Sequence, residues 1–118
     1  MTTVEDISQW RGDDVVDPGG EKIGKLEAIY YDAQTDEAVF FGVKTGFLGH
    51  RLHFVPVQGA SVGKGYVVVD HARSVVRNAP TIDMGMELPA DEEPKIFEFY
   101  GMAYTPGSSP SGKRLFRR

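Results

Sequence analysis

The sixteen residues from Asp17 to Asp32, DPGGEKIGKLEAIYYD, constrain this chain more than any other stretch. Asp17-Pro18-Gly19-Gly20 is a turn. Proline pre-sets its own φ, and the two glycines accept positive φ without steric cost. A strand then runs from Ile23 to Asp32. Gly24 stands where a strand needs a bulge or a close backbone approach. Alternation places Leu26, Ala28 and Tyr30 on one face and Lys25, Glu27, Ile29 and Tyr31 on the other. A strand this long needs partners along both edges, and the rest of the chain supplies candidates.

Before it, Thr3 to Gln9 reads as a short helix with Thr3 as N-cap and acids in its first turn. Ile7 and Trp10 share a face that lids one end of the core, and Gly12 stops the helix. Val15-Val16 is a short strand. After Ala33-Gln34-Thr35-Asp36, a loop, Ala38 to Thr45 (AVFFGVKT) is a strand. Val39, Phe41 and Val43 form its better core face, because the other face ends in Lys44. Phe40 is thereby expected outward, as a candidate contact residue. Leu52 to Val57 is a third long strand, and Pro56, lacking an amide hydrogen, belongs at a sheet edge or at the strand's end. Gly63-Lys64-Gly65 is a tight turn before Tyr66 to Asp70, the last firm strand. These strands, punctuated by turn residues, predict a mainly β barrel or sandwich.

His71 to Ala79 predicts one or two helical turns closed by Pro80. Asp91-Glu92-Glu93-Pro94 opens a second helix, with acids and a proline in its first turn. Ile96, Phe99 and Tyr100 make its apolar stripe, and Gly101 is its stop. From Thr105 the chain reads TPGSSPSGKRLFRR, a composition that predicts disorder.

With 118 residues the chain is long enough for one domain. It has no cysteine, which excludes disulfides and cysteine-ligated zinc and fits a cytoplasmic location. MTTVEDISQW has neither a basic region nor an apolar run, so no signal peptide is expected. No apolar stretch approaches the length of a membrane span. Charge is uneven. Lys113, Arg114, Arg117 and Arg118 are four of the 13 bases, and all 17 acids precede them. Without these four the net charge moves from −4 to −8. An acidic body repels phosphate backbones, so nucleic acid is an unfavoured partner for it.

Trp10-Arg11-Gly12, Val15-Val16-Asp17 and Gly20 to Glu27 (GEKIGKLE), ending at Asp32, together resemble the opening of a PRC-barrel domain. Asn78-Ala79-Pro80 resembles the family's close, and Phe99 to Gly101 gives a weaker echo. That family shares its small barrel with the cytoplasmic part of the photosynthetic reaction centre H subunit and with a ribosome-maturation factor. The resemblance implies a small β-barrel of about five or six strands, with a short N-terminal helix and a C-terminal helix. The resemblance covers about residues 4 to 83; with the composition beyond it, the chain divides into a barrel over 1–83, a helical extension over 84–104 packed on or beside it, and a disordered basic tail over 105–118. The resemblance further implies a non-catalytic interaction or scaffold module. The expected partners are the chain itself, as a homodimer or higher oligomer, and another protein. A ribosome or RNA accessory role and a reaction-centre or membrane-surface accessory role stand as alternatives.

Chemistry leaves few openings. Gly19 to Gly24 fails as a phosphate loop because its glycines open a strand, not a helix. No serine sits in a Gly-x-Ser-x-Gly elbow. Asp13-Asp14, Asp36-Glu37 and Glu92-Glu93 occupy turns or helix starts. His50, His53 and His71 are the only histidines. A metal-dependent hydrolase would need them to converge with further ligands, so no catalytic, cofactor or metal residues are assigned. Two interaction features stand out. The loop Gly46-Phe47-Leu48-Gly49-His50-Arg51 either inserts Phe47 and Leu48 into a partner or folds them back over the barrel end. Lys113, Arg114, Arg117 and Arg118 either bind acidic lipid or RNA, or only solubilise the terminus.

Overall fold

The computed structural model describes residues 9–45 and 50–117. The strands are β1 (Asp14–Val16), β2 (Lys22–Asp32), β3 (Ala38–Thr45), β4 (Arg51–Pro56), β5 (Ser61–Gly63), β6 (Tyr66–Val68), β7 (Thr81–Asp83) and β8 (Leu115–Arg117). Helix α1 (Arg73–Val76) follows β6, and a 3-10 turn (Ala90–Glu92) leads into α2 (Glu93–Phe99). The architecture is mainly β, as expected, but the described residues hold eight strands and not five or six. They form one sheet in the order β5-β6-β1-β2-β3-β4-β7, with β8 added to β2. The barrel is not closed: β5 and β7 end the sheet. The three strands missing from the sequence reading, β5, β7 and β8, have three residues each, too few for alternation to register. The N-terminal helix expected over Thr3 to Gln9 falls almost wholly outside the described residues.

β2 organises the sheet. β3 pairs along one edge from Gly24 to Tyr31. On the other edge β1 pairs with its first half and β8 with its last three residues. Asp17 sets the entry. Its Oδ1 accepts from the amides of Gly19 (3.0 Å) and Glu21 (2.9 Å), closing the turn. Its Oδ2 accepts from the Arg73 amide (3.0 Å), which ties α1 to the turn. These backbone donors, Arg73 first, hold the Asp17 carboxyl below its ordinary pKa.

The facing residues are not those that alternation predicts. In the β2–β3 ladder Leu26 faces Val43 and Ala28 faces Gly42, so Glu27 is an extra residue. That bulge moves Leu26 to the side of Ile29 and Tyr31, and leaves Ala28 with Tyr30 on the opposite side. A second irregularity, at Val39, turns that residue away from Phe41 and Val43.

Both faces of the sheet are therefore buried. One core contains Val15, Leu26, Ile29, Tyr31, Phe41, Val43, Val55 and Val67, with Trp10 packed 6.5 Å from the Phe41 ring. The other contains Tyr30, Phe40, Leu52, Phe54, Ile82, Leu88, Ile96, Phe97 and Leu115. Phe40, expected at the surface, is fully buried there. Its ring meets Phe97 edge-on at 5.1 Å, because α2 returns over what would otherwise be the outer face. On α2 the buried pair is Ile96 and Phe97, while Phe99 is exposed. Gly101 ends the helix with φ +67°. The terminus is not disordered as its composition predicted. Leu115 fills the second core, and β8 occupies a stretch of the β2 edge that β1 leaves open.

Candidate functional site

Of the predicted contact loop, Gly46, Phe47, Leu48 and Gly49 lie outside the described residues. His50 is exposed. Arg51 opens β4 directly across from Asp83 of β7. Its Nη1 donates to Asp83 Oδ1 at 2.5 Å, its Nε to Thr81 Oγ1 at 2.6 Å and its Nη2 to the Thr81 carbonyl at 3.3 Å. Met84 N donates to the His50 carbonyl and Phe54 N to the Pro80 carbonyl. By alternation, the Thr81 backbone then faces away from β4. Arg51 thus lays a charged group over the outer edge of β7, a device that blocks strand addition.

The opposite edge is different. β5 forms a hairpin with β6, Gly63 facing Tyr66 and Ser61 facing Val68. On the far side of β6, Val69 N donates to the Val16 carbonyl and Asp14 N to that of Gly65. Odd residues of β6 therefore point at β1, and even ones at Gly63 and Ser61. Val62 is left with its amide and carbonyl directed away from the sheet. Val62 is 46% exposed, and Tyr66, across from Gly63, 42%. Sequence reasoning passed over both. The Tyr66-Val67-Val68 alternation carried a signal, since Val67 alone is buried there.

The four terminal bases do not act as one free patch. Arg114 donates through Nε and Nη2 to Asp32 Oδ2, both at 2.8 Å, and through Nη1 to Thr105. Burial works to raise the Asp32 pKa, but the Arg114 and Gln34 hydrogen bonds outweigh it and hold the carboxyl below its ordinary value. Lys113 donates to the Leu88 carbonyl. Arg117 stands on β8, and Arg118 lies outside the described residues. Glu93 is fully buried and binds the returning segment. It accepts from Tyr104 Oη (2.7 Å), Leu115 N (2.8 Å) and Arg114 N (3.0 Å). Burial, then the bond to Glu93, pushes the Tyr104 phenol up to about 12.

The histidines are scattered. His53 is fully buried in β4, with Nδ1 3.2 Å from Thr45 Oγ1. His71 packs on the Tyr100 ring at 4.7 Å. Among the described residues no group of three or more His, Cys, Asp or Glu converges on a metal position. Burial, helped by the Arg51 charge, holds His53 below its ordinary 6.5. The unfolded chain therefore takes up this proton first. Stability is full above the unfolded value and falls as pH drops from 6.5 toward the folded value. Urea midpoints measured from about pH 7.5 to about pH 5 should decline at up to about 1.4 kcal/mol per pH unit. In His53→Gln that part of the slope should vanish. A flat wild-type profile over this range would refute the assignment.

The family model for the PRC-barrel domain matches residues 2–76. The chain belongs to the PRC-barrel family. The match contains β1 to β6 and α1. β7, α2 and β8 lie beyond it, so the cover of the second core and the Glu93 clamp are additions to the matched PRC-barrel segment. No curated protein matched the chain. No helix among the described residues is long and apolar enough to cross a membrane.

Proposed function

We propose that this PRC-barrel chain is a non-catalytic interaction module that associates with a second copy of itself through β5. The observation that carries this reading is the open β5 edge, where Val62 presents both its backbone groups and an exposed apolar side chain. Two copies of an antiparallel β5, related by a two-fold axis at Val62, would place each valine against its counterpart. The competing edge, β7, is covered by Arg51. Both sheet faces are already occupied by the chain's own cores, which leaves edges and loops for partners. The polar groups that most resemble catalytic ones, Asp32, His53 and Glu93, have structural bonds.

A three-residue edge makes a small interface, so association should be weak, with Kd of about 10–100 µM. Sedimentation equilibrium from about 10 µM to about 1 mM should show the mass rising toward two chains. Val62→Lys, which sets two ammonium groups face to face, should weaken it at least tenfold, by about 1.4 kcal/mol. One chain's mass throughout this range would sink self-association.

A further inference from the structure

Beside β8 lies a cleft of about 290 Å³. Tyr30 lies against it, only 2% exposed, and its buried hydroxyl has the Arg117 side chain as its polar neighbour. Tyr30 pairs directly with Arg117 across the β2–β8 ladder, and directly paired residues share a face. Arg117 accordingly lines the same cleft. Burial raises the Tyr30 pKa and Arg117 works against the rise, so the phenol is a neutral donor near a guanidinium.

Lys113 supplies a second cation at the rim. Its ammonium is anchored by the Leu88 carbonyl, sits 5.2 Å from the Phe116 ring centroid, and keeps further N–H donors. Among the described residues Glu87 is the one carboxylate side chain in the lining. Among the described side chains of the lining, two cations against one anion leave a formal charge of +1. The remaining wall is apolar: Met86, Leu88 and Phe116, with Met86 and Phe116 both exposed. Apolar walls with a few convergent polar groups are the usual make-up of a small-molecule site, and this one is at the small end of the size range.

We infer that this cleft binds a small aromatic monoanion, a carboxylate on a single ring. The carboxylate takes the exposed Arg117 guanidinium, which the buried Tyr30 hydroxyl backs, and the ring lies against Phe116 and Met86. Lys113 adds charge at the entrance. This site is built from β2, β8 and the loop around Met86, so it stands or falls independently of association through β5.

The test is an amide chemical-shift titration of the full chain with benzoate, run beside benzyl alcohol and inorganic phosphate. Benzoate should shift amides around Tyr30, Met86 to Leu88 and Leu115 to Arg117, saturating with Kd of about 0.1–1 mM. Benzyl alcohol, which keeps the ring without the charge, and phosphate, which keeps charge without the ring, should each bind at least tenfold more weakly. Tyr30→Phe keeps the packing, removes the hydroxyl that backs Arg117, and should weaken benzoate up to about fivefold. Arg117→Gln changes an exposed residue and should weaken it at least tenfold, which keeps the test alive if Tyr30→Phe fails to fold. Shifts that do not saturate, that fall elsewhere, or that match for benzoate and phosphate would overturn the inference. So would unchanged benzoate affinity in folded Arg117→Gln.

Discussion

Gly24→Ala is expected to cost about 3 kcal/mol or more, at the severe end of overpacking. A Cβ at this position would lie 2.1 Å from the Lys44 carbonyl oxygen and 2.9 Å from its carbon. Both are backbone atoms of β3, held in the ladder on each side, so neither can yield without parting β2 from β3. For a domain of this size the loss should lower Tm by roughly 10–20 °C. Gly63→Ala is the matched control. There the added Cβ would meet the Tyr66 ring at 2.0 Å, but that ring is exposed and can rotate away. Its cost should stay near about 1 kcal/mol. Thermal melts of the two variants decide the matter. Equal losses would mean that strand glycine entropy, not the approach of β3, makes position 24 sensitive.

Glu93→Ala should cost about 3–5 kcal/mol and free the C-terminal segment. The carboxylate accepts from the amides of Arg114 and Leu115 and from the Tyr104 hydroxyl. Each buried donor stranded without an acceptor costs about 1–3 kcal/mol. The chain limits that penalty by releasing β8, which lets these donors reach water but withdraws Leu115 from the second core. The loss should therefore show as a lower urea midpoint together with fast amide exchange at Leu115 to Arg117 and at the facing Tyr30 to Asp32. Glu93→Gln keeps one acceptor oxygen and should lose about half as much. Protection of β8 that survives Glu93→Ala, with a loss below about 1 kcal/mol, would show that β2 pairing alone holds the segment.

Lys113, Arg114 and Arg117 illustrate how tertiary placement revises a charge pattern. In the sequence they belong to one basic run after a Gly/Ser/Pro-rich segment, which is the usual composition of an unstructured tail. In the fold Arg114 is committed to Asp32, Lys113 to Leu88, and Arg117 faces the Tyr30 cleft. Nothing within 105–118 announces this, because the partners come from β2, from α2 and from the segment preceding the 3-10 turn. Phe40 gives the same lesson in reverse. Lys44, further along the same face, argued for an outer face, but α2 covers Phe40 while Lys44 stays exposed.

What the sequence determined by itself was local. The Asp17-to-Gly20 turn, the long β2, the close approach at Gly24, the end of β4 at Pro56 and the stop at Gly101 all follow from stereochemistry spanning a few neighbouring residues. Only the tertiary structure decided which way side chains face past Glu27 and Val39, that β5, β7 and β8 exist, and that the sheet stays open. A bulge depends on the strand it faces, and a three-residue strand owes its stability to an edge and a core supplied by distant parts of the chain.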